Sequence, residues 1–133
     1  MSSGEPIVLD SGSLISAEAR SRVLWTLYDE TLETGQDLVV TTPVLTQVWR
    51  GGSRQAILSR FLRRCVIDTP SEATAKRAGE LLGRTRTSDA VDALVVATAI
   101  ERKATLILTS DPDDLKTLLQ AADVKLPPLI QKI

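Results

Sequence analysis

Asp92 stands in Ala90-Val91-Asp92-Ala93-Leu94-Val95-Val96-Ala97, a carboxylate among apolar neighbours where no turn or cap calls for one. Such a group must find cations, donors or a metal, or face a cleft. Asp89 lies three residues earlier, on the same helical face and one turn nearer the N-terminus. Asp10 ends the apolar run Ile7-Val8-Leu9, and Asp111 follows Leu106-Ile107-Leu108 in Thr109-Ser110-Asp111-Pro112-Asp113-Asp114. Structural roles are open to three of these: Asp10 can cap a helix starting at Ser11 or Gly12, Asp111 can cap one starting at Pro112, and Asp89 can be a first-turn acid behind a Ser88 cap. Asp92 has no such role.

The 133 residues contain no histidine and one cysteine, Cys65. This excludes Ser-His-Asp and Cys-His mechanisms, multi-cysteine zinc sites and internal disulfides. Carboxylates that converge without histidine or cysteine suit a hard cation, Mg²⁺ or Mn²⁺, which takes oxygen ligands and water. Such an ion activates water at a phosphate ester, so the implied reaction is phosphodiester hydrolysis. The charge pattern agrees. Net charge is −1, yet Arg50 to Arg86 holds nine Lys or Arg against three acids, about +6, leaving about −7 elsewhere. A solvated helix face and a groove for a phosphate backbone both fit that excess.

The elements that must position these residues read as one α/β domain over residues 1–133. Runs at Ile7–Asp10, Leu38–Thr41, Cys65–Ile67 and Thr105–Leu108 have the character of buried parallel strands, and Leu126–Ile133 adds an edge strand. Helical patterns fill the gaps: Ala17–Thr34, with Val23, Leu24, Leu27, Tyr28 and Leu32 on its apolar side, then Thr46–Arg64 in one or two pieces, Ser71–Arg84, Ser88–Lys103 and Pro112–Ala122. Pro43, Pro70 and Pro112 mark helix starts, with Thr42, Thr69 and Asp111 as caps, and Gly51-Gly52 marks a stop. The expected fold is a three-layer α/β/α sandwich on a mostly parallel sheet of four to five strands, with ligands beyond the carboxyl ends of the strands. Trp25 and Trp49 read as core or subunit-interface anchors, and Cys65 as buried and inert. Met1 to Glu5 show no signal-peptide pattern and no apolar run approaches twenty residues, so no membrane segment is expected and the location is cytoplasmic.

Val8-Leu9-Asp10-Ser11, Thr46-Gln47-Val48-Trp49-Arg50-Gly51, Asp92-Ala93-Leu94-Val95-Val96-Ala97-Thr98-Ala99 and Leu108-Thr109-Ser110-Asp111 occur in an order and spacing that resemble the PIN-domain family. Within that family the chain looks like the VapC-type toxins of toxin–antitoxin pairs. The resemblance implies an α/β/α metal-dependent ribonuclease, an RNA substrate, a small antitoxin protein as partner, and a homodimer. It implies Asp10, Asp92 and Asp111 as catalytic and Mg²⁺- or Mn²⁺-binding acids, with Asp89, Asp113 and Asp114 accessory. Ser11 and Thr109 correspond to hydroxyl residues beside the first and last acids. Gln47 stands where the family usually has a glutamate, which removes one negative charge from the metal site. That departure keeps an alternative open, a catalytically weak RNA-binding or antitoxin-binding module. A phosphatase-like use of Asp10 as nucleophile is disfavoured, because the expected Asp-x-Asp is Asp10-Ser11-Gly12.

Overall fold

The computed structural model describes residues 5–133, so the expectation for residues 1–4 lies outside it. The elements run β1 (Ile7–Leu9), α1 (Ser11–Glu18), α2 (Arg22–Thr34), β2 (Leu38–Thr41), α3 (Thr42–Val48), a 3₁₀ turn (Ser53–Gln55), α4 (Ala56–Leu62), β3 (Val66–Asp68), α5 (Glu72–Thr85), α6 (Ala90–Glu101), β4 (Leu106–Thr109), α7 (Pro112–Ala122) and β5 (Leu129–Lys132). All five strands are parallel, in the order β3-β2-β1-β4-β5. Val8 of the central strand pairs with Val39 on one side and Ile107 on the other, and all three are fully buried. Strands covered on both faces need apolar side chains in both directions, which is why these segments read as unbroken hydrophobic runs.

The chain passes from β1 outward to β2 and β3, then crosses back to β4 and β5. Right-handed crossovers in opposite directions put their helices on opposite faces, giving three layers. On one face α1 gathers α2, α3 and α4; on the other α6 lies on β1 and β2 and packs against α5 and α7. The order reverses between β1 and β4, and the carboxyl ends of those two strands form the switch point.

Several boundaries differ from the sequence reading for local reasons. The expected single helix Ala17–Thr34 is two, broken where Arg20 takes a left-handed backbone (φ 64°) and Ser21 caps α2. That break turns Val23 and Leu32 outward, while Leu24 is buried. The expected stop at Gly51-Gly52 comes earlier: α3 ends at Val48 with Trp49 as its C-cap, and Gly51 and Gly52, at φ 79° and 84°, turn the loop that follows. The loop they form is held by buried Gln55, whose Oε1 accepts from Arg50 N (2.7 Å) and Gly51 N (2.9 Å) while Nε2 donates to Val48 O (2.8 Å). Thr41, Ser71 and Asp89 are the caps in place of Thr42, Thr69 and Ser88, because a cap must be extended and accept from the amide three residues on. Trp25 is half-buried against Tyr28 and Phe61, whereas Trp49 is exposed. Cys65 is only half-buried, and desolvation pushes its thiol up to about 12, so it stays protonated at neutral pH.

Gly12, in the first turn of α1, is the closest approach between that helix and the end of β4. A Cβ at this position would lie 1.9 Å from Ser110 Oγ and 2.8 Å from Ser110 Cβ. Rotating the serine hydroxyl removes the first clash but not the second. Gly12→Ala is therefore expected to cost about 1–3 kcal/mol through overpacking, and Ser110→Gly to recover much of that loss in the double variant. A double-mutant cycle by urea denaturation checks this; additive effects would contradict the contact.

Candidate active site

Asp10 follows β1 and is almost fully buried, 7% exposed. A buried carboxylate is tolerable only with hydrogen-bond donors, and the switch point supplies them. Its Oδ1 accepts from Ser13 N (2.9 Å) and lies 3.1 Å from Ser13 Oγ, while Oδ2 accepts from the Thr109 hydroxyl. Ser13 Oγ also donates to Leu108 O at 2.6 Å, so its single proton is shared between a carbonyl and the carboxylate. Thr109 Oγ1 in turn accepts from Asp111 N at 3.0 Å. The serine that serves Asp10 is thus Ser13, not Ser11. Ser11 opens α1, and the cap geometry aims the amide and hydroxyl two residues further on at Asp10. The Asp-x-x-Ser spacing carried that signal in the sequence.

Helix α6 buries half of its residues, Ala93 and Val95 to Ala99. Asp89 is its N-cap, accepting from Asp92 N at 3.0 Å. Asp92, in the first turn, is half-buried and its carboxyl is pushed up to about 7. Desolvation is the largest cause, followed by repulsion from Asp89 and Asp10, a hydrogen bond with Asp89, and repulsion from Asp114. The ion pairs among the described residues, Lys76–Glu72 and Arg102–Asp68, lie elsewhere. Asp89, Asp92 and Asp114 share a cavity of about 370 Å³ with Thr87, Ser88, Thr117 and Leu118.

The carboxylates acting on Asp92 are therefore Asp89, Asp10 and Asp114, with Asp111 absent from that set. Asp111 is exposed at the head of α7, its backbone still extended and its side chain capping nothing. Asp114, one helical turn on, shares its face and lines the cavity instead. Asp113 is exposed and only its carbonyl is engaged, by Thr117 Oγ1. Gln47 is exposed near the end of α3 and is not among the residues that line the cavity.

Among the described residues no three acids or thiols are gathered tightly enough to enclose a metal ion unaided. In donor type the site fits a hard divalent cation: the ligands are all oxygen, mutually repelling, and without a protein cation. An open set in which water completes the shell is the usual arrangement for Mg²⁺.

A PIN domain family model matches residues 7–118. The chain belongs to the PIN domain family. Among solved structures, this PIN domain is similar to VapBC2 from Rickettsia felis, solved bound to a DNA fragment from its promoter, with TM-score 0.70, 16% identity, and 96% of this chain and 98% of that one covered. It is also similar to FitAcB from Neisseria gonorrhoeae, with TM-score 0.58, 19% identity, and 89% and 94% covered. Among curated proteins no sequence match is found.

Raising the Asp92 carboxyl above its ordinary value of 3.8 makes the folded state bind a proton more tightly than the unfolded one, so in EDTA stability falls as pH rises from about 4 to about 7. Asp92→Asn removes that loss. The variant is expected to match the parent near pH 4 and to exceed it by about 1–2 kcal/mol above pH ~7, the shift being discounted for solvent screening of a half-exposed group. Thermal unfolding across pH measures the difference; equal or lower stability at high pH would show that ionised Asp92 is well accommodated.

Proposed function

We propose that this PIN domain, over residues 1–133, is a Mg²⁺- or Mn²⁺-dependent endoribonuclease and the toxin of a toxin–antitoxin pair. Asp92 carries the reading: a half-buried carboxylate at the switch point, pressed on by three others and left without a protein cation. Clustered charge of this kind costs stability and belongs to sites that bind or react. PIN domains are generally nucleases, and similarity to VapBC2 and FitAcB favours a small antitoxin as partner. A homodimer and a cytoplasmic location complete the reading. No helix among the described residues is long and apolar enough to cross a membrane.

In this reading Asp92, Asp89 and Asp114, which line the cavity, and Asp10 beside them would bind the cation largely through its water shell, with Asp111 and Asp113 nearby at the head of α7. The ion, when bound, supplies Lewis acidity at the phosphodiester. Ser13 and Thr109 fix both oxygens of Asp10, so that carboxylate presents one orientation. Asp89 holds the start of α6 and with it the backbone of Asp92. Ser11 takes no part beyond opening α1.

Asp92→Asn is expected to lower Mn²⁺-supported RNA cleavage at least about 100-fold, as loss of a ligand or positioning group does, while its unfolding transition stays cooperative. Undiminished cleavage would remove Asp92 from the chemistry. Gln47 favours the second reading, a binding module with weak metal affinity, because it lacks the charge a glutamate would bring. Gln47→Glu is expected to tighten Mn²⁺ binding about five-fold if the side chain reaches the ion. Calorimetric titration with Mn²⁺ decides, and unchanged affinity places Gln47 outside the site.

A further inference from the structure

The cavity that holds Asp89, Asp92 and Asp114 also carries three hydroxyls, Thr87 and Ser88 from the connection between α5 and α6 and Thr117 from α7. No lysine or arginine is among its lining residues, and Leu118 supplies its apolar part. Walls of this kind repel a bare phosphate but accept an uncharged group rich in hydroxyls, and in an RNA that group is the sugar. The three hydroxyls differ in what they can still offer. Thr87 is paired hydroxyl to hydroxyl with Thr85 at 2.7 Å. Thr117 Oγ1 donates to Asp113 O at 3.2 Å within its own helix, so its proton is committed and its lone pairs are open. Ser88 is exposed and does not cap α6, a role that Asp89 takes. With no side-chain hydrogen bond among the described residues, the Ser88 hydroxyl can both donate and accept.

We propose that Ser88 and Thr117 read the 2′-hydroxyl of a nucleotide beside the cleaved phosphodiester, Ser88 donating to the 2′-oxygen and Thr117 accepting the 2′-proton. The inference rests on the endoribonuclease reading and adds to it the residues that tell RNA from DNA. A 2′-hydroxyl is donor and acceptor at once, and it is the group that distinguishes the two nucleic acids at a given position. An open donor from the α5–α6 connection and an open acceptor from α7, lining one cavity, match both of its functions. A deoxyribose leaves both unmatched. Both side chains are neutral, so the contact selects the sugar without changing the charge around Asp92.

A cycle between protein and substrate tests this. Cleavage of a single-stranded RNA in Mn²⁺ is compared with cleavage of the same oligonucleotide carrying one 2′-deoxy nucleotide, moved position by position across the cleaved bond. At one position the parent is expected to lose about ten-fold in kcat/KM, as for two neutral hydrogen bonds at a solvent-accessible wall. The double variant Ser88→Ala, Thr117→Val is expected to lose about ten-fold on the all-ribose RNA and nothing further on that deoxy substrate, with each single variant in between. Such non-additivity marks a direct contact, and a structural role would lower both substrates alike. The double variant should melt close to the parent, because Ser88 caps nothing and Thr117 is exposed. Equal losses on the ribose and deoxy substrates, or a parent indifferent to every single 2′-deoxy substitution, overturn the inference. Failure of the parent to cleave RNA at all overturns instead the reading beneath it.

Discussion

Asp10 carries a charge into a place almost closed to water, and the surrounding architecture answers that cost. Its donors come from two directions, the first turn of α1 through Ser13 and the last residue of β4 through Thr109. Satisfying one carboxylate therefore fixes a helix to a strand that lies almost a hundred residues further along the chain. The shared proton of Ser13 extends the tie to the backbone of Leu108, and Thr109 extends it to the amide of Asp111. Gly12 belongs to the same constraint, since α1 can approach β4 this closely only if the residue facing Ser110 has no side chain. Hydrogen bonds and close contact hold the switch point together.

Helix α6 introduces the opposing force. Its apolar residues are buried on several sides, which anchors it against β1 and β2 and leaves its N-terminal turn at the open edge. The positive end of the helix dipole favours acids there, and Asp89 exploits that as a cap. A second acid at Asp92 gains less, because it is half removed from water and faces Asp89, Asp10 and Asp114 together. Packing energy from the apolar length of α6 holds a carboxylate where electrostatics alone would not leave it. Local instability of this kind, maintained by a stable scaffold, is what supports the proposed site.

The strands and the order of elements were legible because parallel strands in a three-layer fold must be apolar throughout, so Ile7–Leu9, Leu38–Thr41 and Leu106–Leu108 stood out without alternation. Asp92 was legible for the converse reason, as a charge inside a run with no local use for one. The break at Arg20 was hidden, since it depends on a left-handed residue that is not glycine, and the apolar period runs through it. That Asp114 lines the cavity was hidden too. Asp111 and Asp114 share one face of α7, so periodicity does not separate them, and only the packing of that helix against α6 decides how far along the face the cavity lies. Ser13, three residues after an acid at a strand end, fits an Asp-x-x-Ser cap, and Ser11 beside Asp10 offers a second hydroxyl that the sequence alone does not separate from it.

Charge segregation along the chain takes on meaning once the fold is known. The basic segment from Arg50 to Arg86 and the acids of α6 and α7 meet at the connection from α5 to α6, where an excess of one sign gives way to the other within four residues. Pairing these cations with the nearby carboxylates would relieve Asp92 at a modest cost in side-chain entropy. They are not so paired: the ion pairs among the described residues join Lys76 to Glu72 and Arg102 to Asp68, away from the cavity. Leaving the carboxylates free of these cations keeps them open to an opposite charge from outside the chain. A divalent ion at these carboxylates, as proposed above, would offset their mutual repulsion, and a neutral ligand would not.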